Sequence, residues 1–479
     1  MQNWDFPTDD YSYNRMQSGN ALGRGEAVMN SNATSYKLIG FFGRLTYSWN
    51  DKYLLMASVR REGSSRFGAS HKWGTFPAIS AGWKITKENF MKDVTFINEL
   101  KLRAGYGVTG TAPDVSYLSL TSLNYGARFL YNGAWIQSLS PVRNPNPDLR
   151  WERKGEYNIG LDFAMMNSRL EWIYRPLQTA DKGHAVGLRR SRSPYLYNTI
   201  TANVGTTENK GVEVLVNFIA VQKKNFQWTT GANFSTNTNK LVSLSNDLFK
   251  TTVNYIDAGY TGEPIQTSTH RLYVGGPVGD FYGYKSVDID ANGKWIIEGA
   301  DGKPKPMKDA KLEDKKILGN GLPKYYLGWN NTFRYKNFDL SVLVRGAFKF
   351  QILNFQRMFY SDPKVTQYNM LRTAFDKVYG KAVLTDDLAF VSYYIEKGDY
   401  VKIDNVTLGY TLPVKNNYIR SVHLYAAGLN LLTITGYKGI DPEVTRTGNT
   451  TDLRLAPGDD QRDKYPTTRT FTLGANITF

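Results

Sequence analysis

Residues 287–295, VDIDANGKW, set Asp288, Asp290, Asn292 and Gly293 at the alternate spacing of a calcium loop, where carboxylate and amide oxygens replace water around a hard cation. Such a loop needs a bidentate glutamate at its twelfth position, which here is Gly299. An Asn-Gly turn in a loop hairpin accounts for the same residues. The four histidines, His71, His184, His270 and His423, are far apart and form no HExxH pair, so isolated surface or lumen histidines are expected. No GxSxG elbow or GxxxxGK[ST] P-loop occurs. Glu152, Glu156, Asp162 and Glu213 would serve a glycosidase only as a spatial pair, and acids on the polar face of a barrel strand are ordinary. Neither an enzyme nor a cofactor is expected. The better site candidates are aromatic: Tyr117, Tyr125, Phe129, Tyr131 and Trp135 share one stretch. Flat rings there stack on sugar faces, anchor a partner protein, or pack the loop against its neighbours.

The elements that must position these residues announce themselves by a period of two. In FFGRLTYSWNDKYLLMASVRR one face carries Phe41, Leu45, Tyr47 and Trp49, then Tyr53, Leu55, Ala57 and Val59 after an Asn50-Asp51 turn. The other carries Arg44, Thr46, Ser48, Ser58 and Arg60. About thirteen such segments are expected, near residues 36–49, 52–62, 74–85, 97–109, 151–164, 169–180, 207–219, 225–238, 325–336, 338–350, 399–412, 420–431 and 468–479. Tyr and Trp gather at their ends, as interfacial girdles require. Every second connection is short. The intervening ones, near 110–150, 239–324, 351–398 and 432–467, are long, and 281–290 reads as a strand inside one of them. The expected fold class is all-β: an antiparallel up-and-down transmembrane barrel with short periplasmic turns and long extracellular loops. No run of eighteen apolar residues marks a helical span, there is no cysteine, and the net charge of +16 is scattered without the basic stripe that tracks nucleic acid. Outer-membrane lipid headgroups are the better partner for that charge.

Thirteen is odd, whereas single-chain bacterial barrels close with an even number of strands. The expectation is a partial barrel, about 13 of the roughly 22 strands of a plugged transporter. Residues 1–35 would be an extracellular loop remnant and 36–479 the C-terminal part of the barrel, with plug and N-terminal strands absent.

Six segments resemble the C-terminal half of SusC/RagA-like TonB-dependent outer-membrane transporters. They are RFGASHKWGTFPAISAGW (66–83), NPNPDLRWE (144–152), YLYNTITANVGTTENKGVEV (195–214), GDYVKIDNVTLGYTLP (398–413), GLNLLTITGYKGIDPEV (428–444) and YPTTRTFTLGANITF (465–479). The resemblance implies TonB-linked import of oligosaccharides or peptides, with a SusD-like surface lipoprotein over the mouth. The TonB box and plug would lie in the N-terminal half. Two other readings stay open, a truncated barrel product that does not transport and an outer-membrane barrel enzyme, which lacks a nucleophile motif. The last strand, with Phe471, Leu473, Ala475 and Ile477 alternating up to Phe479, resembles the signal read by barrel-assembly machinery through strand addition.

One segment breaks the pattern. Between Trp172 and Tyr195 alternation fails, and Arg189, Arg190 and Arg192 crowd together. Read one base later, a coding sequence for residues 181–193 yields TKDMLWDYAVPV, which is close to the text of related transporters. Paired compensating frameshifts flanking roughly 175–193 are therefore expected, and a genuine basic extracellular loop is the alternative. Resequencing the DNA and finding codons incompatible with the shifted frame would rule the frameshifts out.

Overall fold

Because a strand rises about 3.3 Å per residue and turns successive side chains to opposite faces, the alternating segments must become long two-faced strands. They do. The computed structural model describes residues 34–189, 196–197, 199–250, 253–365, 369–414, 418–444, 455–462 and 464–479. Thirteen strands form one sheet: β1 (Leu38–Trp49), β2 (Tyr53–Ser64), β3 (Trp73–Lys84), β4 (Ile97–Thr111), β5 (Glu152–Met165), β6 (Leu170–Arg189), β7 (Thr199–Lys223), β8 (Phe226–Ser243), β9 (Tyr325–Tyr335), β10 (Phe338–Phe348), β11 (Tyr400–Leu412), β12 (Ser421–Thr435) and β13 (Thr470–Thr478). Spatial order follows chain order and each neighbouring pair is antiparallel, which is the up-and-down meander expected of a barrel wall. The expected loop remnant, residues 1–35, falls almost wholly outside the described residues.

Cross-strand register keeps one apolar face continuous. Leu45 lies opposite Ala57, which faces Ile79; further along, Leu340 faces Leu408, Ala426 and Leu473 in turn. Two aromatic rows border this face. At the short-turn end Trp49 packs on Tyr53, Phe163 on Trp172, Trp228 on Phe333 and Phe338 on Tyr410, with ring centroids 5.8, 5.5, 5.7 and 4.6 Å apart. At the other end Phe41 meets Trp73, Tyr106 meets Tyr157 and Phe234 meets Tyr325. On β5 the apolar span is residues 157–165. At about 3.3 Å per residue that is about 30 Å of strand, and a tilt of roughly 40° brings it near the 25 Å height of an outer-membrane apolar band. The opposite face is polar: Arg103 pairs with Asp162 at 2.6 Å, Arg175 pairs with Glu213, and His423 meets Asp339 at 2.8 Å.

Two expectations need correction. The expected strand at 169–180 does not give way to the basic extracellular loop that stood as the alternative to a frameshift; β6 runs on to Arg189 and β7 begins at Thr199, so both strands extend past the apolar band. Antiparallel pairing continues there because each added rung satisfies two backbone groups, with irregular register only around His184. Alternation fades just above the band because both faces are polar there, with Gln178, Lys210 and Thr238 on the same side as the apolar face below, and an apolar row, Ile200, Ala202 and Val204, returns buried further along β7. Arg190 and Arg192 lie outside the described residues, as does the side chain of His184. The second correction concerns 281–290, which is not one strand. Asp280–Tyr284 joins a four-stranded sheet and Ser286–Ile289 a three-stranded one, with Lys285 at the break.

Candidate extracellular vestibule

The long loops are not independent. Connections 244–324 and 349–399 share one hydrophobic core in which Phe281, Trp295, Phe355, Met358, Phe359 and Tyr394 are all buried. Burying several aromatic side chains at 1.5–3 kcal/mol or so each is ample to hold these loops together. The third long connection is stitched to them by backbone. Gln351–Asn354 pairs antiparallel with Ile395–Lys397 and parallel with Asp459–Asp460. Gly458 sits at φ 86° with its Cα against Gly321, a close approach that any side chain would obstruct.

Beneath this assembly a charged network ties the loop after β12 to the polar face of the sheet. A β-bulge between Ile403 and Asn405 inserts Asp404, whose side chain then reaches Arg345 at 2.8 Å. Lys402 is fully buried; its Nζ donates to Glu443 Oε2 at 2.6 Å and lies 3.3 Å from Asp441 Oδ2. Arg345 grips both oxygens of Glu443, and the Tyr400 hydroxyl donates to Oε1 at 3.0 Å. Burial raises the Glu443 carboxyl, but hydrogen bonds from Arg345 and Lys402 outweigh it and hold the group down at about 2. Lys464 donates to the carbonyls of Asp441 and Glu443, and the Tyr437 hydroxyl donates to Asp460 at 2.6 Å. Of this set the sequence showed Tyr400, Lys402 and Asp404 within GDYVKIDNVTLGYTLP and Tyr437, Asp441 and Glu443 within GLNLLTITGYKGIDPEV, and only as a resemblance. The pairing of Asp441 and Glu443 with a lysine some forty residues earlier leaves no local signal.

The aromatic residues expected to share a site are divided. Tyr117 sits in a loop at φ 65°, and its hydroxyl accepts from the Ser35 backbone N–H at 2.9 Å. The others belong to a separate hairpin, Leu123–Tyr131 with Ala134–Pro141, turned by Asn132 and Gly133 at φ 50° and 78°. Tyr125 pairs with Leu139 in that hairpin; its side chain is outside the described set. Phe129 lies opposite Ile136 and Tyr131 opposite Ala134 on one face, whereas Trp135 lies opposite Leu130 on the other. All three side chains are exposed.

The calcium candidate is occupied by its own backbone. Asp290 Oδ1 accepts from Asn292 N–H at 2.9 Å and from Lys294 N–H at 2.8 Å, closing the turn between Ser286–Ile289 and Trp295–Glu298. Asp288 pairs with Lys381, and its Oδ1 takes the Ile289 N–H. Among the described residues no group of three His, Cys, Asp or Glu is arranged to hold a metal. His270 is buried against Phe281, with Nε2 donating to the Pro457 carbonyl at 2.9 Å. His71 stands 3.6 Å from Asp148. The barrel-assembly candidates Phe471, Leu473 and Ile477 project on the apolar face of β13, which pairs only with β12 among the described residues; Phe479 follows the strand.

A profile for TonB dependent receptor-like β-barrels matches residues 2–431. The chain belongs to this outer-membrane receptor family. TonB-dependent receptor P3 of Formosa agariphila is 30% identical over 501 residues, covering 99% of this chain and 48% of that protein. TonB-dependent receptor SusC of Bacteroides thetaiotaomicron is 31% identical over 478 residues, covering 93% and 44%. The receptor barrel thus spans about half the length of the curated relatives it matches. The RagAB peptide transporter superposes with a TM-score of 0.80 at 20% identity, over 96% of this chain and 49% of that one, which establishes the shared fold. These relatives are named receptors and transporters, and the barrel sits with them in the outer membrane.

Proposed function

We propose that the chain supplies the wall and extracellular vestibule of a TonB-linked importer for oligosaccharides or peptides, working under a SusD-like surface lipoprotein. The observation that carries this reading is the fusion of three long loops into one packed body above a polar sheet face. Loops of this length that invest in their own core are binding surfaces rather than connectors. The RagAB peptide transporter, whose fold the chain shares, supports peptides as a cargo class, and oligosaccharides rest on the resemblance of the six segments. Phe129, Tyr131 and Trp135 are the residues offered to cargo or to the lipoprotein, while Tyr117 is the tether that holds Ser35. Further strands of the barrel would pair with β1 and β13, each of which has one neighbour in the sheet among the described residues, and energy would arrive from the TonB complex through a plug. Barrel-assembly machinery places the whole in the membrane.

The test is growth of a deletion strain on a panel of oligosaccharides and peptides as sole nutrient. Growth is expected to fail on one class and to return with the intact gene. The triple variant F129A/Y131A/W135A should restore uptake on the order of tenfold less well, the effect expected when a cluster of exposed aromatic anchors is truncated. Unimpaired growth of the deletion strain on every source would overturn the importer reading.

A further inference from the structure

We propose that the outward face of the sheet, just past the aromatic pair Tyr106–Tyr157, binds the phosphate-bearing headgroup of an outer-leaflet lipid. A groove of about 750 Å³ opens there, lined by Tyr106, Tyr157, Arg150, Arg153, Lys182 and Asp247 among others. Below it the same face continues as Ile159, Ala104 and Leu102, so acyl chains would run along the apolar wall while a headgroup fills the groove. The inference rests on how the barrel sits in the membrane and not on its cargo.

The charges make the case. Arg153 and Lys182 stand directly opposite each other on β5 and β6, an arrangement of like charges that destabilises a strand pair. Among the described residues neither has a carboxylate partner; Arg153 Nη2 donates only to the Thr75 carbonyl, at 3.3 Å. Arg61 reaches the Thr75 hydroxyl at 3.4 Å from the far side and extends the cationic row toward β2. The nearby outward acid Glu208 is already engaged by Lys210 at 2.9 Å and by Gln178 at 2.6 Å. Asp247, the one acid lining the groove, turns its side chain fully to solvent, 3.7 Å from Lys250. A dianionic phosphate between Arg153 and Lys182 would remove their repulsion, accept the fork of donors that a guanidinium presents, and rest against two tyrosine rings. A soluble anion would satisfy the same charges but would gain nothing from the apolar wall below.

The experiment uses the full-length protein in detergent, titrated with short-chain phosphatidic acid and, separately, with phosphatidylcholine of the same chain length. Phosphatidic acid should bind at least about tenfold more tightly, the scale of one charge-assisted hydrogen bond. R153Q/K182Q should lose that preference and R153K/K182R should keep it. In the absence of lipid K182Q should melt higher than wild type, because repulsion is relieved, while binding phosphatidic acid less well. A merely structural role for Lys182 would not give these opposite signs. Equal affinity for the two lipids, or full preference retained in R153Q/K182Q, would overturn the proposal. So would displacement of phosphatidic acid by inorganic phosphate at matching concentration, which would assign the groove to a soluble anion. If the double variant fails to fold, judged by its heat-modifiable migration in gels, K182Q alone decides.

Discussion

Glu443→Gln is expected to destabilise the loop end of the barrel by about 3–5 kcal/mol, the penalty for leaving buried charge without its partner. Glutamine keeps the shape but not the charge. Lys402, fully buried, would retain only Asp441 at 3.3 Å, and Arg345 would lose the carboxylate it grips through both oxygens. Lys402→Met should cost less than E443Q, since it removes the buried cation itself, and K402M/E443Q should recover part of the E443Q loss. Differential scanning calorimetry together with limited proteolysis of the 436–444 segment reads the effect. An unchanged melting temperature for E443Q would mean the carboxylate adds nothing. The pH dependence has a definite sign: the Glu443 carboxyl lies below its ordinary 4.5, at about 2. Its contribution is therefore fully present above pH 4.5 or so and fades only as pH falls toward about 2, so mild acidification should leave this anchorage intact.

Leu473→Arg is expected to cost about 2–4 kcal/mol and to deplete folded protein from the outer membrane, whereas its neighbour Thr472→Arg should be nearly silent. The two positions differ by one residue and by one face. Leu473 lies in register with Ala426, Leu408 and Leu340 on the apolar side, while Thr472 lies with Ala427, Thr407 and Ser341 on the polar side. Removing Phe479 separates stability from assembly. The strand ends at Thr478, so deletion should leave the melting temperature of refolded protein unchanged and yet reduce the amount delivered to the membrane in cells. Equal damage from L473R and T472R, measured as membrane-inserted protein, would place the lipid on neither face and defeat the assignment.

Strand positions were legible because lipid on one side and water on the other impose alternation; all thirteen expected segments correspond to strands of the sheet. Legibility stopped where that asymmetry stops. Around Gln178, Lys210 and Thr238 both faces are polar, so alternation breaks at the foot of the β6 and β7 extensions and leaves the short apolar row Ile200, Ala202 and Val204 of β7 detached from the band. The vestibule was legible only as length. Its core joins Phe281 and Trp295 to Phe355 and Phe359 across some sixty residues with no repeat, and contacts of that kind are set by tertiary packing alone. Grouping the aromatic residues of 117–135 by proximity in sequence was a poorer guide than pairing, since the hairpin register sends Trp135 away from Phe129 and Tyr131. The weak calcium pattern illustrates the same limit: alternate acids describe an Asx-type turn as readily as a cation loop until the N–H partners of Asp290 are seen.

The core shared by two of the long loops, with the third paired to it by backbone, also constrains how this protein can diversify. A loop with its own foundations can be exchanged between relatives and bring a new cargo with it. Here a graft of 244–324 alone would strand Phe355, Met358 and Phe359 without Phe281 and Trp295, and would strip Gly458 of its close contact with Gly321. Changes of specificity therefore have to come either as point substitutions on the exposed rim or as replacement of all three loops as one cassette, and recombination breakpoints should fall in the strands rather than between the loops.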